Sequence, residues 1–198
     1  MRRVAILALL AMALPIAAWA NDITLTNQRG TISISDSGIT SKGSQLTSFN
    51  SIQAPPGKSM GTVDYSTGAL VSGSIQAGGI FSSAGSSFDV VGKGNYGEPK
   101  GPIFTGSFTG NIDWTLVSQT GSKLVYTLSG NLVGQLYNGV MVTGTTTQTI
   151  TTHPGQLNQG IGHITLGSTT LTTPEPGTLG LLGTGLLGIA GMFRRKKS

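Results

Sequence analysis

The feature that most constrains the fold is the alternation of apolar and polar residues that recurs between residues 21 and 173. "TISIS" (31–35), "LVYTLS" (124–129) and "TTTQTITT" (145–152) place side chains of one kind at every second position. Strands alternate their side chains between two faces, whereas a helix needs apolar residues three and four positions apart. No stretch of this segment has a useful helical period, so the sequence predicts a body of β-strands.

Turn signals separate these strands at short intervals. Asn138-Gly139 suits a type I′ hairpin turn because both residue types accept positive φ, and "QTGS" (119–122) resembles a second hairpin turn. The proline-containing stretches "APPG" (54–57) and "EPKGP" (98–102) predict longer loops. About a dozen short strands joined in this way predict an all-β fold, specifically an antiparallel β-sandwich or a jelly-roll-like body.

The net charge of +5 belongs to the two ends of the chain rather than to its body. Between residues 21 and 173, six cations are balanced by six carboxylates. A surface that follows a phosphate backbone needs clustered basic residues, so we expect no nucleic-acid partner. Cysteine is absent, which excludes disulfides, thiolate metal ligands and a cysteine nucleophile.

Residues 1–20 have the three parts of a secretory signal peptide. Two arginines precede an apolar run of eleven residues at 4–14, which is short for a membrane span of about 20 residues. Small residues at Ala18 and Ala20 fit the specificity of signal peptidase. We therefore predict export and cleavage before Asn21, with an uncleaved anchor as the alternative.

Residues 174–198 contain three elements in a fixed order. Pro174-Glu175-Pro176 cannot lie inside a helix because proline lacks an amide donor. It is followed by seventeen uncharged residues at 177–193, which as a helix would be about 26 Å long, close to the hydrocarbon thickness of a bilayer. The last element consists of four cations: Arg194, Arg195, Lys196 and Lys197. Such cations favour the cytoplasmic side, so we predict a transmembrane helix with the body outside.

This arrangement resembles the PEP-CTERM sorting tail of Gram-negative bacteria, which is also labelled the ice-binding protein C-terminal domain. Pro174, Glu175 and Pro176 match the motif that names the tail, and the four cations match its basic end. The resemblance implies that an exosortase, an integral-membrane cysteine peptidase, recognises and cuts the tail during transfer to the surface. The chain would then consist of a signal peptide (1–20), a Gly/Ser/Thr-rich β-domain (21–173) and a sorting tail (174–198). An ordinary C-terminal membrane anchor is the alternative.

One sequence pattern suggests hydrolysis. The stretch 57–61 fits the G-x-S-x-G pattern, with Ser59 as nucleophile and His153 or His163 as base. That pattern requires a turn between a strand and a helix, but prolines precede it and a strand-like stretch follows. The two histidines lack the close ligand spacing of a zinc site, and we expect no metal and no cofactor.

A second pattern, G-x-G-x-x-G at 92–97, fits the dinucleotide fingerprint. The fingerprint requires a helix whose N-terminal amides hold the pyrophosphate. Pro99 and Pro102 prevent such a helix, so we interpret the match as chance. The six body carboxylates contain no pair that the sequence alone brings together for glycoside hydrolysis.

A row of threonines is the clearest surface pattern. In a strand, alternate residues share one face, and this would apply to Thr143, Thr145, Thr147, Thr149 and Thr151. The row resembles the Thr-x-Thr rows of some ice-binding proteins, but only one row is clear, and threonine also suits a plain exposed strand. Trp114 and the tyrosines have rings that can stack on sugars, although burial in the core is the simpler interpretation.

We therefore expect a non-catalytic exported β-domain at the cell surface or in the extracellular matrix. By resemblance, PEP-CTERM proteins are linked to exopolysaccharide and biofilm production, which favours contacts with polysaccharide or a partner. The alternatives are a secreted carbohydrate-active or esterase-like hydrolase and, as a minor one, an ice-binding protein.

Overall fold

The computed structural model describes residues 22–159 and 161–174, and these ranges contain twelve strands and one short helix. The strands are β1 (Asp22–Gln28), β2 (Thr31–Ser35), β3 (Gly38–Phe49), β4 (Ile52–Gln53), β5 (Gly61–Ser66), β6 (Leu70–Ser74), β7 (Gly78–Phe81), β8 (Ser87–Lys93), β9 (Lys100–Thr120), β10 (Lys123–Leu136), β11 (Met141–Thr152) and β12 (Ile161–Thr172). The helix is α1 (Pro154–Asn158). Asp22–Thr173 forms one compact unit.

Eight of these strands close into an antiparallel barrel in the order β1-β3-β5-β8-β9-β10-β11-β12. The ring closes because β12 pairs with β1, from Asp22 opposite Thr172 to Asn27 opposite Gly167. The all-β antiparallel class is confirmed, but the predicted sandwich or jelly roll is wrong, since one closed sheet replaces two packed sheets. The alternation of buried and exposed residues within a strand is the same in a sandwich and in a barrel, so it does not distinguish them. Closure of the barrel also pairs the backbone amides that the edge strands of an open sheet would leave free.

The four remaining strands extend this ring. β2 occupies the same position as β1 but pairs with the other ends of β12 and β3. The break between β1 and β2 lies at Arg29 and Gly30, whose φ angles are 65° and 82°. β7 pairs with β9 at Ile112–Thr115, β6 pairs with β7, and β4 pairs with β3.

Both predicted hairpins are present, but one has a different turn. Thr120 pairs with Lys123 across the first. In the second, Gly139 has a φ of 82° while Asn138 does not have positive φ, so the type I′ prediction is wrong. The Asn138 side chain instead accepts a hydrogen bond from Val140 N at 3.2 Å. The four-residue connection therefore needs only one left-handed residue, which glycine supplies at little cost.

One side of the barrel interior is filled by aromatic rings from β5, β8 and β9. Tyr65 stacks on Phe88 with ring centroids 5.8 Å apart, and Phe108 meets both rings edge-on. Phe104 meets Phe88 at 6.2 Å and completes the aromatic cluster (Tyr65, Phe88, Phe104, Phe108). All four are buried. Each ring pair adds about 0.5–1.5 kcal/mol to the stabilisation from burial itself.

The side formed by β1, β3, β11 and β12 contains a buried polar network instead. Asn27 Nδ2 donates to Gln148 Oε1 at 2.9 Å, and Gln148 Nε2 donates back to Asn27 Oδ1 at 3.3 Å. Ser44 accepts from Asn27 at 2.7 Å, Thr146 accepts from Gln148 at 2.8 Å, and Thr169 bonds Thr146. Because every side chain in this polar network has a partner, its burial does not carry the cost of an unpaired polar group.

Gly167 leaves the space that this amide pair needs. A Cβ atom at this position would lie 2.1 Å from both Asn27 Oδ1 and Gln148 Oε1. Only a residue without a Cβ allows β12 to approach the pair this closely.

Candidate functional site

The outer face of β11 carries the predicted threonine row. Buried residues alternate with outward-pointing ones along most of this strand. The outward set is Thr143, Thr145, Thr147, Thr149 and Thr151. The prediction that these residues share one face is therefore confirmed.

The antiparallel register adds two further rows. Three residues of β12 lie opposite the first three threonines of the β11 row, and two residues of β1 continue the same rungs. We name this set the hydroxyl face: Thr143, Thr145 and Thr147 on β11, Ser168, Thr170 and Thr172 on β12, and Thr24 and Thr26 on β1. Sequence reasoning found only the first row, because "STTLT" and "TLTNQ" show alternation but not which strands pair.

The hydroxyl face contains no charged residue. Asp22 borders it at one end, where its carboxylate accepts a hydrogen bond from Thr172 Oγ1 at 2.8 Å. Strands lie about 4.8 Å apart and alternate residues about 6.8 Å apart, so the hydroxyls form a regular array. In a ring of eight strands, neighbours turn by about 45° on average, so this array is convex. It can donate and accept hydrogen bonds, but it contains no acid or base.

The hydrogen-bond partner that the structure gives Ser59 is a lysine rather than a histidine. Lys93, at the end of β8, donates to the Ser59 hydroxyl at 2.5 Å. Neither His153 nor His163 is a hydrogen-bond partner of Ser59 in the described chain, and a strand rather than a helix follows it.

The described residues also offer no metal centre. Within 22–159 and 161–174, no three His, Asp or Glu side chains are grouped to hold a metal ion. His153 bonds Gln156 through Nδ1 at 3.2 Å, and exposed His163 lies on β12 opposite Thr31 and Thr151.

The glycine-rich stretch at 92–97 surrounds a carboxylate of the protein itself. Asn95 N and Tyr96 N donate to the two oxygens of Glu98, each at 2.9 Å. Burial alone would raise the pKa of Glu98, but bonds from loop amides outweigh it and hold the pKa below its usual value. No helix follows the stretch, because β9 begins at Lys100. The loop is therefore an internal carboxylate site rather than a dinucleotide site.

The structure brings together one carboxylate pair that sequence reasoning did not find. Asp64 on β5 lies directly opposite Asp89 on β8. The pKa of Asp89 is raised, mainly by burial and also by the charge of Asp64, against a lowering bond to Thr105. Glycosidases use two carboxylates of unlike pKa. This pair lies on the convex outside of the barrel, since the neighbouring residues of both strands point inwards.

Of the aromatic residues considered for sugar stacking, three are internal, whereas Tyr96 is half-buried and Tyr137 is exposed. Trp114 and Tyr126 stack with centroids 4.5 Å apart, and both are at most 1% exposed. Their polar atoms donate to Ile75 O and Gln76 O in the β6–β7 turn, both at 2.8 Å. Burial therefore explains Trp114, Tyr126 and Tyr65, and these rings are not available to a ligand.

Most of the predicted processing residues lie outside the described residues. These are Ala18, Ala20, Glu175, Pro176, Arg194, Arg195, Lys196 and Lys197. Pro174 is described and is exposed, two positions after the end of β12. Among the helices of the described ranges, none has the length and apolar character to cross a bilayer.

Residues 172–196 match the PEP-CTERM protein-sorting motif. The chain therefore carries this motif, which implies an exosortase as processing partner and export to the cell surface. No curated protein and no solved structure matches the chain.

Proposed function

We propose that the processed protein is a non-catalytic component of the cell surface or extracellular matrix of a Gram-negative bacterium, where it contacts exopolysaccharide in a biofilm. The observation that carries this proposal is the hydroxyl face, an uncharged array across three adjacent strands. Sugars present hydroxyls that donate and accept at once, and so do threonine and serine. The sorting motif supports the location.

The surface contact can be tested by placing charge in the middle of the array. Thr145→Lys combined with Thr170→Lys puts two neighbouring cations on opposed positions of β11 and β12. We expect at least tenfold weaker co-sedimentation of the processed protein with exopolysaccharide isolated from the producing cells. Thr115→Lys on β9, outside the hydroxyl face, is the control and should bind like the parent. Equal binding by all three proteins would contradict the proposal.

Sorting is tested by changing Pro174, Glu175 and Pro176 together to alanine. We expect unprocessed precursor to accumulate in the inner membrane, as seen by fractionation and mass spectrometry. Pro154→Ala in the body is the control and should be processed normally. If the triple variant also reaches the surface without its tail, exosortase does not recognise these residues.

Ice binding is a second candidate, favoured by the three aligned rows of the hydroxyl face. The curvature of the barrel opposes it, because a crystal plane can meet only a few convex rows at once. Measurement of thermal hysteresis on the processed protein separates the two functions. A gap between melting and freezing that Thr145→Lys abolishes would favour ice over polysaccharide.

A hydrolase is the remaining alternative, and the opposed Asp64 and Asp89 are the observation that favours it. Hydrolysis of neutral glycosides by the parent protein that Asp89→Asn abolishes would establish a glycosidase. Hydrolysis of simple esters that Ser59→Ala abolishes would establish an esterase. We expect no turnover by the parent protein.

A further inference from the structure

A groove borders the hydroxyl face between the loop after β4 and the outer side of β1 and β3. Its volume is about 270 Å³. Its floor is formed by Thr26, Thr47 and Ser48, while Gln53 and the loop 54–58 form one wall. Thr26 also belongs to the hydroxyl face, so the groove continues the array rather than standing apart from it.

The wall of the groove is held in place by backbone hydrogen bonds. Ala54 N donates to Thr47 O at 2.9 Å, and Lys58 N donates to Pro55 O at 3.0 Å. Pro55 and Pro56 have restricted φ angles. A ligand that enters the groove therefore does not have to order this loop first, which lowers the entropic cost of binding.

The hydroxyl protons of the floor are already committed. Thr47 Oγ1 donates its single proton to Thr26 O at 3.1 Å. In its 3.1 Å contact with Thr26, Thr47 must then accept, so Thr26 donates its proton there. In the 2.6 Å contact between Thr26 and Ser48, Ser48 must for the same reason be the donor. The floor therefore offers only acceptor lone pairs to a ligand.

The rim of the groove has the opposite character. Gln28 and Gln53 carry amide donors, and Lys58 carries an ammonium. A suitable ligand must donate hydrogen bonds downwards and accept them at the rim. A fully ionised inorganic anion has no proton for the floor, and a cation is repelled by Lys58.

We propose that this groove binds one neutral hexopyranose unit of a polysaccharide chain that continues across the hydroxyl face. Vicinal sugar hydroxyls meet both requirements at once, because each donates one hydrogen bond and accepts others. This inference rests on the proposed function. It assigns the contact between the protein and the exopolysaccharide to this groove and to uncharged sugars.

The test is an NMR titration of the isotope-labelled full-length chain in a detergent without a sugar headgroup. The probes are maltohexaose and cellohexaose as neutral glycans and hexagalacturonate as an acidic glycan of equal length. We expect a neutral probe to shift the side-chain amide signals of Gln28 and Gln53. Ser48→Ala removes a floor acceptor and should weaken that binding about tenfold, a loss typical of one hydrogen bond.

Matched variants separate this groove from the wider surface. Ser118→Ala changes an exposed strand serine on β9 and should bind within twofold of the parent, whereas Gln53→Ala should lose affinity as Ser48→Ala does. If neutral glycans bind but Ser48→Ala and Gln53→Ala leave the affinity unchanged, the groove assignment fails while the proposed function stands. Tighter binding of hexagalacturonate than of both neutral probes would overturn the ligand class. If no probe binds, the groove assignment fails, and co-sedimentation with the isolated exopolysaccharide decides the proposed function separately.

Discussion

The two sides of the barrel interior are packed with different chemistry. The aromatic cluster is stabilised by burial of apolar area, which is non-directional and tolerates changes of shape. The polar network is stabilised only while every donor and acceptor is paired, because an unpaired buried group costs about 1–3 kcal/mol. We therefore expect the aromatic side to respond to lost volume and the polar side to respond to a single lost partner.

This difference bears on function because the polar network lies directly beneath the hydroxyl face. Asn27 and Gln148 point inwards from β1 and β11, while Thr26 and Thr147 beside them point outwards. A register slip of one residue would exchange the two faces of a strand. The polar network thus contributes to the register that aligns the rungs of the hydroxyl face.

The largest expected effect is that of Gly167→Ala. The added Cβ would collide with both oxygens of the Asn27–Gln148 pair, so overpacking and loss of hydrogen bonds combine to a cost of about 3–5 kcal/mol. Urea denaturation measures it. Gly155→Ala is the control, since nothing lies within 4 Å of its added Cβ, and it should unfold like the parent. If Gly167→Ala costs less than about 1 kcal/mol, the amide pair is not held as described.

The second prediction compares single changes on the two sides. Gln148→Met keeps the length of the side chain but leaves Asn27 Oδ1 without its partner, and we expect a loss of about 2–3 kcal/mol. Phe104→Leu in the aromatic cluster keeps an apolar group and loses the ring pair with Phe88, so it should cost about 1–1.5 kcal/mol. Chemical denaturation of both variants tests the order. A smaller loss for Gln148→Met than for Phe104→Leu would remove the distinction between the two sides.

The third prediction extends the comparison to Glu98, a buried polar group that is ionised. Glu98→Gln replaces one acceptor oxygen by a donor facing a loop amide, so we expect a loss of about 1–3 kcal/mol near pH 7. The folded pKa of Glu98 is lowered. Its stabilisation is therefore complete above the unfolded value of about 4.3 and is lost as the pH falls through the lower folded pKa. Parent and variant should converge in stability towards acid, and a difference that stays constant down to pH 2 would contradict this account.

The strands could be predicted from sequence because their signals are local. The alternation in β11 and the hairpin between β9 and β10 each depend on residues within a few positions of one another. Closure of the barrel depends on Asp22 and Thr172, which are 150 positions apart. No local pattern distinguishes a paired edge strand from a free one, and this is why a sandwich was predicted where a barrel is found.

The residues of the candidate site could likewise be predicted only where they are close in sequence. The β11 threonine row was readable because the residues follow one another in one strand. The amide pair joins Asn27 to Gln148 across 121 positions, and the groove floor joins Thr26 to residues more than 20 positions away. Such partners become visible only when the register is known, so sequence reasoning found one row of the surface and neither the groove nor the network.

The smallest expected effect is that of Tyr65→Phe in the aromatic cluster. The buried Tyr65 hydroxyl makes no hydrogen bond of standard geometry among the described residues, and its contact with the Ser41 hydroxyl on the neighbouring strand is weak, so its removal should change stability by less than about 0.5 kcal/mol or raise it slightly. Tyr126→Phe is the matched control and should cost about 1 kcal/mol, because Tyr126 donates to Gln76 O.

Burial raises the pKa of Tyr65. The contribution of the neutral Tyr65 side chain to stability is therefore intact below the pKa of about 10 in the unfolded chain, and it declines as the pH rises above that value. Tyr65→Phe should therefore lose less stability than the parent between pH 9 and pH 11. Equal alkaline loss in both proteins would show that the Tyr65 ring is not buried, and the aromatic side of the comparison would then need revision.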